Sequence, residues 1–255
     1  MKGIGIKGIG LERRVVMGYD NPYYRNILNL SPIAYWPLWE SSGAVATDVS
    51  GNLRYGVYGT AGAAPTKGQP GIGDGQHCPS FDGGDIVDIY SAGFIAAFSG
   101  SSGSIALWAK MDAVGTWTDA ANHYFIHLYV DGNNSINIRK SSTNNTIQWL
   151  YQAGGISKTR NKASLSTLSW MNLVLTWDHD TDKVQAYYNG VAEGVVLTGL
   201  GDWGAGALSI NQTVIGAFDR VGSLGHKGWL AHVAIWNRPL IPTEVASIAY
   251  APFLI

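Results

Sequence analysis

A stretch at residues 170–191, WMNLVLTWDHDTDKVQAYYNGV, limits most strongly what this chain can fold into. Hydrophobic and β-branched residues dominate positions 171–177, over a length that suits one β-strand. Aspartates follow at alternating positions, and their short side chains can bond their own backbone in a tight reversal. An extended pattern resumes at residues 184–188, and the Asn-Gly pair after it supplies the positive φ angles of a hairpin turn. The stretch therefore predicts antiparallel β-structure.

The composition indicates a globular protein with many turns. Of the 255 residues, 46% are hydrophobic, 14% are charged and 33 are glycine, a balance unlike that of a disordered chain. The formal net charge of -1, with no run of Lys or Arg, predicts that nucleic acid is not a partner. No segment reaches the roughly 20 apolar residues that span a bilayer, so no membrane partner is expected. The single Cys78 cannot form an internal disulfide.

The N-terminal residues 1–30 differ from the rest of the chain. Glycine and isoleucine alternate near the start, and glycine this dense cannot hold a stable isolated strand. We expect an extended arm that is either disordered or ordered by adding to the sheet edge of a partner. Glycine and Lys7 also interrupt any continuous apolar stretch of a signal peptide, which predicts synthesis in the cytoplasm. The candidate partner-binding residues of the arm are Ile4, Ile6, Ile9, Leu11, Arg13 and Arg14.

A short helix is predicted at residues 21–30, with Asn21 as its N-cap and Pro22 at its first position. From residue 31 onward, about a dozen short strands alternate with Gly-, Asn- and Asp-rich turns. No amphipathic helix separates these strands, which argues against a parallel α/β sheet. The sequence predicts an all-β, two-sheet antiparallel jelly-roll sandwich at residues 31–255, and its end at residues 242–250 predicts a closing helix.

Short motifs stand in a fixed order along the predicted sandwich. They are YWPL at 35–38, DVSGN at 48–52, FDGGD at 81–85, IALW at 105–108, the 170–190 hairpin and GWLAHVAIWNRPL at 228–240. Their order resembles the laminin-G-like, concanavalin-A-like jelly-roll domains that recur in bacterial surface proteins and phage virion proteins. The resemblance covers about residues 31–250. The lead-in helix is similar to one that often precedes this domain in phage tail and capsid proteins.

Catalytic motifs are missing from the sequence. Retaining glycosidases on this kind of sandwich use two carboxylates about 5–5.5 Å apart, often from alternating positions of one strand. The chain's glutamates (Glu12, Glu40, Glu193 and Glu244) do not cluster in that way. There is also no G-x-S-x-G nucleophile motif and no phosphate-binding loop. The sequence therefore predicts a protein that is not an enzyme.

The aspartates Asp178, Asp180 and Asp182 are spaced like the start of a calcium-binding loop. Such a loop needs glycine at its sixth position and glutamate at its twelfth, and this chain has Lys183 and Asn189 there. The turn interpretation is therefore favoured over a metal site.

Two other residue pairs raise the question of a metal. His123 and His127 would suit a zinc ion only on a helix, because on a strand they lie about 13 Å apart, which is too far for a shared ion. Asp48 and Asn52 can either hold a structural calcium or cap the turn between them, and capping is favoured. Where related domains bind calcium, an acidic pair can matter at residues 231–232, which are Ala and His here. We expect no cofactor, with a structural calcium left open.

Tryptophans fall into two groups in this sequence. Most lie within strand motifs and are predicted to be core: Trp36, Trp108, Trp170, Trp177 and Trp236. Trp117 and Trp203 lie in loop-like segments, each close to an aspartate. Such an indole can pack against the protein, anchor a protein partner or stack on a sugar whose hydroxyls bond the neighbouring carboxylate. The candidate ligand-binding residues are Trp117, Asp119, Asp202 and Trp203.

These observations lead to two hypotheses about function. The resemblance implies a non-catalytic structural or decorating protein of a bacteriophage virion, in capsid or tail, that binds neighbouring virion subunits and forms homo-oligomers. The alternative is a carbohydrate-binding module that attaches to host or environmental glycans. The expected location is the virion, and the alternative is a bacterial cell surface.

Overall fold

The computed structural model describes residues 22–250 and contains two eight-stranded antiparallel sheets that form a sandwich. The predicted fold class is confirmed. In the described part of the chain, the strands are β1 (Ala34–Trp36), β2 (Val45–Ala46), β3 (Gly56–Tyr58), β4 (Thr66–Pro70), β5 (His77–Asp82), β6 (Val87–Asp88), β7 (Ser102–Met111), β8 (His123–Asp131), β9 (Asn134–Lys140), β10 (Ile147–Ala153), β11 (Ile156–Lys162), β12 (Met171–Asp178), β13 (Lys183–Tyr188), β14 (Val191–Ala192), β15 (Thr213–Ile215) and β16 (Lys227–Trp236). The helices there are α1 (Pro22–Asn29), α2 (Ala92–Ala97), α3 (Val114–Trp117) and α4 (Pro242–Tyr250).

The first sheet has the order β14-β13-β12-β7-β16-β5-β4, with β1 also paired to β16. The second sheet has the order β11-β10-β9-β8-β15-β6-β3-β2. The predicted hairpin is β12–β13, in which Asp178 lies opposite Lys183 and Leu173 opposite Tyr188. Its turn residue Asp182 and the following Asn189 have positive φ angles of 52° and 48°, as the turn chemistry requires.

Apolar side chains pack in two layers, one between the sheets and one on the outer face of the first sheet. The inner layer contains Trp36, Trp177 and most inward residues of β7 to β10 and of β12. The outer layer lies beneath α1 and α4 and contains Trp108 and Trp236. These tryptophans are buried as predicted, whereas Trp170 is only partly buried. The outer face of the second sheet receives neither of these helices.

Two polar strands of the structure, β4 and β11, are not predicted from the sequence pattern. Their sequences, TKGQP and ISKTRNK, lack apolar alternation. Both are terminal strands in their sheets, and polar residues suit an exposed edge. The predicted strands at 53–58 and 209–215 begin later than expected, at Gly56 and Thr213.

The N-terminal lead-in helix and the closing helix are present as α1 and α4. Asn26 of α1 donates a hydrogen bond to the Ser247 carbonyl of α4 at 3.0 Å. The predicted arm and the Asn21 N-cap lie outside the described residues. Within residues 22–250, no helix has the length and apolar character needed to cross a membrane.

Burial of His226 predicts a pH-dependent stability. The ring is enclosed near Phe125, with 5.0 Å between ring centroids, and burial lowers the pKa of His226 from 6.5 to about 3. Below pH 6.5 the His226 ring is therefore protonated in the unfolded chain but stays neutral in the folded one. The free energy of unfolding falls as the pH drops below 6.5. Between pH 7 and pH 5 this histidine should lower the free energy of unfolding by about 2 kcal/mol. Urea unfolding of His226→Leu should show a pH dependence weaker by that amount, and equal pH dependence in both proteins would contradict the assignment.

Candidate functional site

The structure separates the predicted ligand-binding residues into two places. Trp117 ends α3, is 0% exposed, and donates its indole N–H to the Thr167 carbonyl at 2.9 Å. The expected exposed stacking surface at Trp117 is therefore absent, because the indole is a core side chain. No flat face of this ring is left for a sugar.

Asp119 lies in a polar cluster that holds the loop before β8. One carboxylate oxygen accepts a hydrogen bond from Lys140 at 2.7 Å, and the other bonds His123 at 2.7 Å. Partial burial alone would raise the pKa of Asp119, but hydrogen bonds from Lys140, the Ala121 N–H and His123 lower it to about 2. The Lys140 side chain is 0% exposed. Asp119 thus neutralises a buried cation, which is a structural role.

The other predicted pair, Asp202 and Trp203, lies at the opposite end of β8 from Asp119. Asp119 bonds the first residue of β8, whereas Asn134, which follows the end of β8, accepts a hydrogen bond from Gly204 at 2.9 Å. A strand of this length spans about 27 Å. The predicted residues therefore do not form one site, and only Asp202 and Trp203 remain candidates.

Trp203 lines an open groove of about 540 Å³ between two short segments. One wall is the chain from the end of α2 to the start of β7, and the other is the loop at residues 203–208. Glycine, alanine and serine form most of the lining, so backbone amides and carbonyls border the groove alongside small side chains. The half-buried indole of Trp203 is the largest side chain that lines it.

Close packing fixes the Trp203 indole in place. A Cβ added to Gly100 would lie 2.0 Å from two indole carbons, so only glycine allows this approach. The Tyr151 ring lies 6.1 Å from the indole, and its hydroxyl donates to the Gly100 carbonyl at 3.0 Å. Phe98 contacts the indole edge-on at 6.1 Å. The aromatic surface is therefore held rigidly before any ligand arrives, which lowers the entropic cost of binding.

Two asparagine side chains, the exposed Asn237 and the buried Asn134, position the walls of the groove. Asn237 accepts a hydrogen bond from the Ser99 N–H at 3.0 Å and also donates to the Ala97 carbonyl. Asn134 accepts from the Gly154 N–H at 3.2 Å as well as from Gly204. Neither asparagine is among the residues predicted from the sequence. Asn237 follows the Trp of the GWLAHVAIWNRPL motif, and Asn134 opens β9, but neither local pattern reveals the distant loop that it holds.

An exposed histidine–aspartate pair lies beside the groove. His179 Nε2 lies 2.9 Å from Asp202 Oδ1, and the Asp202 side chain is 94% exposed. The His179 backbone N–H donates to the carbonyl of the groove residue Ser101 at 2.9 Å. The pair therefore offers hydrogen-bonding groups next to the aromatic surface of Trp203. Aromatic stacking combined with nearby polar groups is the arrangement that binds the apolar face and the hydroxyls of a sugar.

The structural calcium left open by the sequence does not fit Asp48 and Asn52. Asp48 accepts backbone N–H groups of Tyr35 at 3.0 Å, Ser50 at 2.9 Å and Arg54 at 2.8 Å, so both its oxygens are used. Asn52 directs its nitrogen, a poor calcium ligand, at the Ile33 carbonyl at 3.1 Å. Within residues 22–250, no group of three or more His, Cys, Asp or Glu is placed to hold a metal ion.

The family of the chain follows from a sequence comparison. The profile of a laminin G family, described as the Concanavalin A-like lectin/glucanases superfamily, matches residues 81–246, which is more than half of the chain. The chain belongs to this superfamily, and the resemblance inferred from the ordered motifs is confirmed. A search of curated proteins found no match to this chain.

Solved structures with the same fold come from an enzyme and from toxins. Domain 4 of AbnA, an extracellular GH43 arabinanase from Geobacillus stearothermophilus, in complex with arabinotriose, aligns with a TM-score of 0.63 and 17% identity. That alignment covers 86% of this chain and 98% of the domain. The binding domain of botulinum neurotoxin serotype D aligns with a TM-score of 0.61 and 18% identity, covering 89% of this chain and 53% of that domain.

A structure of botulinum neurotoxin type C, whose cell entry depends on two ganglioside molecules, aligns with a TM-score of 0.63 and 14% identity. It matches 90% of this chain, which spans only 53% of the toxin chain. These likenesses establish the lectin-like fold. They give no support to the virion role, which stays a prediction together with the homo-oligomer and the location.

Proposed function

We propose that this protein is a non-catalytic carbohydrate-binding module and that its glycan binds in the groove beside Trp203. The observation that carries the proposal is a rigidly held indole lining an open groove of about 540 Å³ with an exposed His179–Asp202 pair beside it. The similarity to domain 4 of AbnA supports the proposal, because nearly the whole of that domain is matched and its structure is a complex with arabinotriose.

A glycan array tests the proposal. The wild-type protein should bind at least one class of oligosaccharide, and Ala205→Trp should weaken that binding at least about tenfold, which corresponds to 1.4 kcal/mol. Ala205 is exposed and lines the groove, so a larger side chain fills the groove without removing a core contact. Asp202→Ala should weaken binding less, because it removes polar contacts and leaves the indole in place.

The matched control is Ala61→Trp, at an exposed alanine in a turn away from the groove. It should bind glycans as the wild type does, and both tryptophan variants should keep the wild-type melting temperature. If the wild type binds no glycan, or if the two tryptophan variants bind equally well, the proposal is wrong.

A further inference from the structure

The outer face of the second sheet carries a regular grid of polar and aromatic side chains. On β9, Ser135, Asn137 and Arg139 face outward, because Ile136 and Ile138 between them belong to the inner core. Strand register places side chains of β8, β10 and β11 beside each of them. The resulting rows are Tyr124–Arg139–Gln148–Asn161, His127–Asn137–Leu150–Thr159 and Tyr129–Ser135–Gln152–Ser157.

The first row is locked by its own hydrogen bonds. Arg139 donates to the Tyr124 hydroxyl and to the Gln148 side-chain oxygen, and its guanidinium lies 5.0 Å from the centre of the Tyr124 ring. Gln148 in turn donates to Asn161 at 3.1 Å. These hydrogen bonds fix the Arg139 guanidinium in one orientation. Its Nε–H group, which they do not use, is therefore fixed as well.

An aromatic ridge borders the grid on the β15 side. Phe218 stacks on His127, with 4.9 Å between ring centroids, and its carbonyl bonds His127 Nδ1 at 2.7 Å. Burial lowers the pKa of His127 to about 4, so the ring is neutral near pH 7. Tyr129, which is half-buried, lies beside it with 5.5 Å between centroids. Arg139 is the only charged side chain among the three rows.

Two buried polar atoms in neighbouring positions of β9 lack partners within the described residues. They are the Asn137 side-chain oxygen, an acceptor, and Arg139 Nε, a donor. Asn137 as a whole is 2% exposed, so bulk water does not satisfy its oxygen. An unpaired buried polar group costs stability, so each of these atoms calls for a partner, either an ordered water or a ligand. The half-buried Leu150 lies across from Asn137 in the strand register, and a ligand reaches the buried amide only if the side chains around it move.

We propose that this face is a second glycan-binding site, separate from the Trp203 groove, and that it takes a neutral sugar through two adjacent hydroxyls. A sugar hydroxyl can both donate, here to the Asn137 oxygen, and accept, here from Arg139 Nε, as the water that it would displace also can. A carboxylate or phosphate only accepts and would be repelled by the Asn137 oxygen. The aromatic ridge and Leu150 supply apolar surface for the C–H groups of the sugar ring.

An NMR titration of the whole protein tests this site. The probes are arabinotriose, maltotriose, cellotriose and lactose, and the reporter is the Nε–H resonance of Arg139. We expect at least one probe to shift this resonance with a saturable dependence. Asn137→Leu should weaken that binding at least about tenfold. Because leucine removes an unpaired polar group from a buried position, the melting temperature of Asn137→Leu should equal or exceed that of the wild type.

The matched control is Asn144→Leu, at an exposed asparagine in the turn between β9 and β10. It should leave the Arg139 titration unchanged. If the Arg139 resonance does not respond to any probe, or if Asn137→Leu binds as the wild type does, the second site is wrong. A lower melting temperature of Asn137→Leu would also overturn it, because it would make Asn137 structural.

The two sites fail separately in the same experiment. A shift of the Trp203 indole N–H without a shift of Arg139 leaves the groove standing and removes the second site. If the Arg139 resonance still shifts in Ala205→Trp and the Trp203 resonance does not respond, the second site stands and the groove is not a glycan site. Responses of both resonances with different affinities support both sites.

Discussion

Asp119→Ala is expected to lower the free energy of unfolding by about 3 kcal/mol, because it leaves a buried ammonium without its counter-charge. The Lys140 side chain is 0% exposed, and among the described residues it would keep only the Ala121 carbonyl, at 3.0 Å, as a hydrogen-bond partner. The pair also predicts a pH dependence. Since the pKa of Asp119 lies near 2, its stabilisation is present above about pH 4 and is lost as the pH falls towards 2. Urea unfolding at pH 7 and at pH 3 measures both effects.

The matched control for Asp119 is Asp180→Ala, at a side chain that is 97% exposed. This change should alter the free energy of unfolding by less than about 0.5 kcal/mol. Asp119→Asn should bind glycans as the wild type does, although its stability falls. If Asp119→Asn loses glycan binding and keeps the wild-type stability, Asp119 binds the ligand and its structural role is contradicted.

Gly228→Ala is expected to lower the free energy of unfolding by about 2–5 kcal/mol, by adding overpacking to backbone strain. Gly228 opens the GWLAHVAIWNRPL motif in β16, opposite Met111 of β7. Its φ angle is 137°, and an added Cβ would lie 2.0 Å from the Lys110 carbonyl oxygen. Because that oxygen belongs to the backbone of a central strand, it cannot move aside without disturbing the sheet.

The control for Gly228 is Gly132→Ala, in the turn between β8 and β9, where an added Cβ would meet nothing within 4 Å. Its stability should stay within about 1 kcal/mol of the wild type. Thermal unfolding of the two variants and the wild type measures the difference. Equal melting temperatures for Gly228→Ala and Gly132→Ala would show that the sheet tolerates a side chain at Gly228.

The fold was predictable because its signals are local. The β12–β13 hairpin follows from a strand-length apolar run and the turn residues around it, and α4 follows from a Pro at its start. β11 could not be predicted in the same way. Its polar sequence carries no apolar period, and only pairing with β10 makes it a strand.

The candidate sites depended on contacts between distant residues, and sequence could not supply these. Trp117 and Trp203 have similar neighbours in sequence, yet Trp117 packs into the core while Trp203 lines a groove. Asn137 and Arg139 alternate with isoleucines, a pattern that predicts polar side chains on one face. Which side chains of β8 and β10 lie beside them follows from strand register, and that is a property of the folded sheet.

The most direct test of glycan binding in the groove is a crystal structure of the protein with the oligosaccharide that it binds best. We predict a sugar ring against the Trp203 indole, with carbon atoms within about 4.5 Å of the ring and hydroxyls bonded to groove residues or to Asp202. Sugar density that is absent from the groove, while the protein binds the same oligosaccharide in solution, would contradict the proposed site.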